Sequence, residues 1–404
     1  MTRTLDIDLT NPQLYENGFP HEVFTELRRR GPVHLHPAIE GRPDIPSIPF
    51  WSIVTHPEIQ QANRDWKTFA AQDGPLLGPD PLMSAGRTLL TLDPPEQTEM
   101  RRIISSEFTP RMVNTLEQRL ADRTARILEA AAASGTCDFV RDVAYQVPMH
   151  VIADIIGIPE DTRSWVFERT DQLLKAGDPY RPGFSPETRL GLQAELFEYA
   201  QRITAEKRAN PADDVWTKLA ERLDGFELEM FFLILSLAGS ETTRNALSMG
   251  LVALLENPDQ LAELRSNRGI SATVVDEVLR WSSPVLFFGR TATKDVTIGD
   301  QDVQAGDRVV FWYPSGNRDE NVFADPFRFD INRSPNPHMA FGGGGAHYCL
   351  GANLAQKEIK VVYESIAAGY DVEAAGPAVW TGAGPVHNVG IGIESFPVRI
   401  NALS

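Results

Sequence analysis

The residues with the clearest capacity for chemistry are Cys349 and His347. They close the stretch Phe341-Gly342-Gly343-Gly344-Gly345-Ala346-His347-Tyr348-Cys349-Leu350-Gly351. Its consecutive glycines permit backbone conformations and close approaches that a Cβ forbids. Beyond it, residues 352–368 read as a helix, with Leu354, Ala355, Glu358, Ile359, Val362 and Ile366 near helical spacing. Cys349 is therefore expected on a tight loop opening onto a helix N-terminus, where peptide dipoles and free N–H groups favour a thiolate. Such a thiolate suits an iron or an electrophile. A phosphate-cradling loop would need a GxxxxGK[ST] pattern, but Ala346 follows Gly345. A lone cysteine is otherwise a small core hydrophobe; the glycine run and His347 together point away from that reading.

A second constellation lies within residues 227–256, a long helical stretch apolar nearly all round for two turns and so expected to be buried. Its middle holds Ala238-Gly239-Ser240-Glu241-Thr242-Thr243. Gly239 costs such a helix up to ~1 kcal/mol relative to alanine, and a buried carboxylate needs compensation. Local rules fail here together, a pattern that marks functional sites. A carboxyl group can pass protons inward, and a hydroxyl both donates and accepts. Glu277 and Arg280 pair at i,i+3 on a third helical stretch.

The elements that must hold these groups can be followed along the chain. Residues 20–30 read as a short amphipathic helix, and 33–35 and 51–54 as strands. From residue 71 to 91 runs an unusually apolar loop, suited either to closing over an apolar ligand or to packing on the core. A helix follows Pro94-Pro95. Further helices are expected over 111–135, from about 148 to 157, and over 160–175 and 186–208. Residues 285–288 are extended and apolar; 295–298 and 308–312 are strand-like, and 389–393 with 397–400 suggest a terminal hairpin. The fold class is mainly α with a smaller β region. The expected organisation is a single domain over 1–404, β-rich near 30–55, 285–315 and 385–402.

Bulk properties bound the function. A net charge of -17 over 404 residues argues against a nucleic-acid partner, although Arg101, Arg102, Arg111, Lys357 and Lys360 could form a local basic patch. Two cysteines, Cys137 and Cys349, cannot build a disulfide framework and fit a reducing cytoplasm. No apolar h-region opens the chain, and the longest strongly apolar run, 230–239, falls far short of the ~20 residues of a membrane span. A soluble, cytoplasmic protein is the expectation.

The Phe-Gly-(Gly-rich)-His-x-Cys-x-Gly stretch resembles the haem-binding loop of the cytochrome P450 family. Phe341 stands eight positions before Cys349, where most members have seven; the longer spacing also occurs in a bacterial subgroup acting on sterol side chains and methyl-branched lipids. Ala238-Gly239-Ser240-Glu241-Thr242-Thr243 is similar to the family's oxygen-side helix. Glu277-x-x-Arg280 and the Pro326-Phe327-Arg328-Phe329 segment match its scaffold motifs, and Asn317-Arg318-Asp319 another fixture. The resemblance covers nearly the whole chain. It implies haem b (iron protoporphyrin IX) between the long central helix and the Cys-loop helix, with Cys349 as axial ligand of the iron. Phe341, Gly342, Gly351, Ala238 and Gly239 would surround the haem, Gly239 leaving room above the iron. His347, Arg290 and Arg101 would bind its propionates. At Gln97 the family has histidine; glutamine keeps a donor but loses any positive charge.

By the same resemblance Thr242 hydrogen-bonds dioxygen, Glu241 belongs to a proton relay, and Glu277, Arg280 and Arg328 form a buried network. The implied activity is a monooxygenase inserting one atom of O2 into an apolar C–H bond. Electrons would come from a ferredoxin-type partner plus reductase, since two cysteines cannot hold a four-cysteine cluster of their own. Leu76, Leu82, Met83, Leu235, Val285, Phe287 and Ile391 are the expected pocket residues, suited to a small apolar substrate such as a terpenoid, steroid or fatty-acyl or branched lipid. A peroxide-driven haem-thiolate peroxygenase would not need the Glu241–Thr242 pair, and a haem sensor or carrier would not need Thr242.

Overall fold

A computed structural model describes residues 2–38, 48–78, 86–106, 108–176, 185–212, 214–266, 272–381 and 389–403. The chain forms two compact units. The first comprises Met1–Thr98, Met249–Leu350 and Val379–Glu394. At its centre is a five-stranded sheet, in the order Val33–His36, Phe50–Ile53, Arg308–Trp312, Phe287–Ala292, Phe69–Ala70. Phe50–Ile53 runs parallel to Arg308–Trp312, and the other pairs are antiparallel.

Strand periodicity sorts side chains onto the two faces. Phe50, Phe287, Val310 and Trp312 enter one core with Phe24, Leu27, Leu77, Leu286 and Ile391. Their neighbours Trp51, Ile53, Ala292, Val309 and Phe311 enter the other, with Ile59, Phe69, Tyr313 and Met339. Burying each large apolar side chain contributes about 1.5–3 kcal/mol, so a one-residue slip of either central strand would exchange both cores at once.

The same unit holds a buried charge network. Glu277 and Arg280 are both fully buried and meet in two 2.7 Å bonds. The expected third member, Arg328, is corrected to Arg333. Arg333 Nε donates to Glu277 Oε2 at 3.1 Å, while the Arg328 side chain is exposed and only its carbonyl accepts, from Arg280 at 3.2 Å and Arg333 at 2.9 Å. Asp330 N–H and Asn336 Nδ2 complete the shell of Glu277 at 2.9 and 3.1 Å. The network continues to the cysteine loop. Arg280 holds the Asn317 carbonyl at 3.0 Å, and the Asn317 side chain takes the Met339 N–H at 2.7 Å, two residues before Phe341.

The second unit comprises Glu99–Ser248, Gly351–Ala378 and Ser395–Ser404. Its helices include Pro110–Ala133, Gln146–Ile156, Glu160–Lys175, Pro186–Ala209 and Ala352–Gly369. The long helix Gly225–Glu256 belongs to it through Ser248. Side-chain caps start two of these helices: Thr109 on Met112 N–H at 3.3 Å and Ser185 on Thr188 N–H at 3.2 Å.

The anticipated terminal hairpin does not form. Pro397–Ala402 is the central strand of a three-stranded sheet, between Thr136–Asp138 and Tyr370–Ala374, and Ile393–Ser395 pairs with Val379–Trp380 instead. Hairpin spacing was present, but pairing is decided by distant strands offering buried, hydrogen-bonding edges. Among the described residues no helix is long and apolar enough to cross a membrane.

Candidate active site

In the first unit the cysteine loop is built by glycines. Gly342, Gly343, Gly344 and Gly345 all have positive φ, between 68° and 109°. A Cβ on Gly345 would lie 2.7 Å from the Asn63 carbonyl oxygen, so the loop can press against the helix His56–Arg64 only without one. The Cys349 N–H donates to the Phe341 carbonyl at 3.1 Å, closing the loop so that the Cys349 side chain stands exposed at its end. Gly351 then caps the helix Ala352–Gly369, as the sequence pattern predicts.

Two of the expected propionate residues, His347 and Arg290, and Gln97 belong to the same unit as this loop. His347 Nε2 is 3.5 Å from Asp93 Oδ1. Asp93, just before Pro94-Pro95, turns its carboxylate to the Ala71 N–H, at 2.9 and 3.1 Å. Gln97 is buried and donates from Nε2 to the Ala346 carbonyl at 2.7 Å, so one of its two N–H bonds braces the loop. Arg290 is 3 % exposed, and its guanidinium hydrogen-bonds the Gly289 carbonyl at 2.9 Å. It has no carboxylate at ion-pair distance among the described residues, and burial holds its pKa below the ordinary arginine value although Tyr313 and Asp93 partly oppose the shift. A buried guanidinium lacking a carboxylate is a receptor for one. With the exposed Cys349 thiol on its glycine cradle two residues from His347, these residues fit a haem carrying propionates.

In the second unit the long helix is buried on most sides, yet Ala238 at its middle is exposed. Leu235, Gly239 and Thr242 beside it are half-buried. Their i, i+3, i+4, i+7 spacing places all four on one face, which protein does not fully cover. The Thr242 hydroxyl donates to the Ala238 carbonyl at 2.7 Å, keeping its lone pairs for an acceptor role. Glu241 stands 3.8 Å from Arg244 one turn on. Gly239 serves packing as well: a Cβ there would come 3.0 Å from Ile152 Cδ1, so the room it leaves is partly claimed by the neighbouring helix. Arg101 is half-buried on the helix Glu96–Ser105.

Of the expected pocket residues, Leu76, Phe287 and Ile391 come together in one hydrophobic core cluster of the first unit; Phe287 and Ile391 are buried within that packing, and only Leu76 keeps exposed surface. Val285 is half-buried against the opposite core. Leu82 and Met83 lie outside the described residues.

One acidic residue that the sequence places on the helix after Cys349 without a role is Glu358. It is buried, accepts from the Thr243 hydroxyl at 3.3 Å, and burial pushes its carboxyl up to about 8. The available signal was a glutamate among Leu354, Ala355, Ile359 and Val362 on the apolar side of that helix.

Comparison with known proteins agrees with this geometry. The cytochrome P450 family model matches residues 198–376. Cytochrome P450 126 of Mycobacterium tuberculosis is 39 % identical, covering 93 % of this chain and 94 % of that protein. The steroid C26-monooxygenase of Mycolicibacterium smegmatis is 37 % identical over 90 % of this chain and 87 % of its own. The methyl-branched lipid omega-hydroxylase of Mycobacterium bovis is 35 % identical over 85 % and 83 %. A solved Mycobacterium marinum cytochrome P450 in complex with pseudoionone superposes with a TM-score of 0.89 at 34 % identity, covering 99 % of both chains. The exposed Cys349 on its glycine loop and the Thr242 face of the long helix thus belong to a member of the cytochrome P450 family, a monooxygenase with a haem-iron cofactor.

Proposed function

We propose that the enzyme hydroxylates an apolar terpenoid, steroid or branched fatty-acyl substrate, using haem b, O2 and electrons from a ferredoxin-type protein and its reductase in the cytoplasm. The whole chain, 1–404, would serve as one catalytic domain. The observation that carries the reading is the uncovered face of the long helix, where Leu235, Ala238 and Gly239 are apolar and Thr242 offers the hydroxyl. Relatives named for steroid and methyl-branched lipid oxidation support the substrate class.

Cys349 would hold the haem iron, with Arg290, His347 and Arg101 on the propionates. When bound, thiolate-ligated haem supplies oxygen activation, since the sulfur pushes electron density that favours O–O cleavage. The chain's own part is to hold and move protons. Thr242 Oγ1 can release the Ala238 carbonyl and donate outward, and the Glu241 side chain, after taking up a proton from solvent, can pass that proton on to replace the one given up. Leu235 and Ala238 exclude water and accept an apolar skeleton. The basic patch for the electron donor is partly neutralised within the second unit, because Lys357 pairs with Glu117 at 3.0 Å and Lys360 with Glu364 at 3.5 Å. Exposed Arg102 and Arg111 remain as its outward charges.

The test is spectral binding followed by turnover. Sterols, terpenoids and fatty acids are titrated into the ferric holoenzyme, and ligands that displace the water signal are offered with a ferredoxin–reductase pair or with hydrogen peroxide. Hydroxylated product with the reductase pair is the expected result. Turnover with peroxide alone would make the enzyme a peroxygenase, and binding without turnover by either route would make it a haem carrier.

A further inference from the structure

Three successive carbonyls in the first unit, those of Gly74, Pro75 and Leu76, are all held from one place. Arg308, on the strand Arg308–Trp312, donates from Nη2 to Gly74 O at 2.9 Å and to Leu76 O at 2.8 Å. Between them the Gly289 N–H takes Pro75 O at 2.7 Å. Arg308 Nη1 also donates to Thr291 Oγ1 at 3.1 Å, and that hydroxyl donates to Asp73 Oδ2 at 2.6 Å. The guanidinium is largely buried and stays charged at neutral pH, with its pKa lowered to about 10 by burial. It reaches these carbonyls only because residue 289 is glycine: a Cβ there would lie 2.4 Å from Arg308 Nη2 and 3.0 Å from Pro75 O.

A run gripped through its backbone has fixed side chains, since peptide planes set where each Cβ points. The run delivers Leu76 and Leu77 to the cluster containing Leu286, Phe287 and Ile391. Three of these, Leu76, Phe287 and Ile391, are residues expected at the substrate wall, and Leu76 is the one that keeps exposed surface, packed against the cluster that holds the buried other two.

We propose that Arg308, admitted by Gly289, is a positioning residue for substrate selectivity, clamping residues 74–76 so that Leu76 presents a fixed apolar wall. The inference rests on the pocket reading above and adds to it what sets the shape of the wall. Arg308 acts through the protein, its hydrogen bonds going to Gly74, Leu76 and Thr291. Its loss frees two carbonyls and lets the wall move, which relaxes discrimination between ligands of different shape without altering the iron's ligand.

The experiment uses ferric holoenzyme and two shape-distinct probes, the acyclic pseudoionone and the rigid, bulky testosterone, with imidazole as a small iron-binding control. Dissociation constants are read from the Soret shift for wild type, Arg308→Met, Arg308→Lys and Gly289→Ala. The expected result is a change of about tenfold in the testosterone-to-pseudoionone ratio for Arg308→Met. The Gly289→Ala variant shifts it the same way, by expelling the guanidinium from the other side, and Arg308→Lys restores it in part. Imidazole affinity and the reduced carbon-monoxide Soret band stay as in wild type. Gly289→Ala also keeps the experiment decisive if Arg308→Met does not fold. An unchanged ratio in the folded variants, or a parallel loss for all three ligands, overturns the clamp alone. A wild type that binds imidazole but neither probe overturns the pocket reading and the clamp with it.

Discussion

The Thr243 hydroxyl donates to the Glu358 carboxylate at 3.3 Å, with both side chains buried in the second unit. A second bond joins the same two helices, from the Tyr363 hydroxyl to the Leu247 carbonyl at 2.7 Å. Thr242 and Thr243 are neighbours in sequence with opposite environments, the first on the uncovered face and the second against a buried acid.

Glu358 gives stability a pH dependence. Its carboxyl has an ordinary value of 4.5 and titrates near 8 in the folded protein. Between these values the folded chain keeps a proton that the unfolded chain has released, so this group's effect on stability worsens as pH rises, by about 1.4 kcal/mol per unit, until the cost is complete above pH 8. Below pH 4.5 both states are protonated and the effect vanishes. Thermal unfolding of Glu358→Gln beside wild type should show the variant's relative Tm climbing with pH through this window and levelling above it. A constant difference would refute the raised titration.

Replacing Thr242 tests the uncovered face. Thr242→Ala removes the hydroxyl and its bond to the Ala238 carbonyl while leaving Cys349 untouched. Hydroxylated product per NADH consumed should fall at least tenfold, on the order expected for losing a positioned proton donor, with hydrogen peroxide rising in its place. Thr243→Ala should leave that ratio near wild type. Coupling that survives Thr242→Ala would remove the residue from the proton path.

Arg333 and Arg328 separate by stability. Arg333→Ala leaves the buried Glu277 short of one cation and should cost about 3–5 kcal/mol in denaturant unfolding. Arg328→Ala removes an exposed side chain and should stay within about 0.5 kcal/mol. Reversal of the two would restore Arg328 to the network.

Arg290 should act oppositely on the haem-free and haem-loaded protein. Its buried guanidinium has no carboxylate at ion-pair distance among the described residues, only the more distant field of Asp93, so Arg290→Met should raise the Tm of the haem-free chain. The same change should weaken haemin binding by about tenfold or more, the worth of a lost charge-assisted hydrogen bond. Haemin titration and calorimetry on both forms check the two signs.

Much of this molecule could be read from local pattern. Helical period located Pro110–Ala133, Gly225–Glu256 and Ala352–Gly369 to within a few residues, because a helix is stabilised by neighbours three and four apart. Glycines placed Cys349 at the end of a tight loop, since only residues without a Cβ tolerate four positive φ angles in succession. Choice of partner was another matter. Arg328 and Arg333 are five residues apart, and nothing in their spacing tells which side chain turns inward to Glu277. Pro397–Ala402 looked like half of a hairpin, yet it pairs with Thr136–Asp138 and Tyr370–Ala374. The burial of Glu358 and the grip of Arg308 on residues 74–76 likewise depend on groups far away in the chain. Backbone periodicity is a property of adjacent residues, whereas burial and pairing are settled only when distant segments compete for the same space.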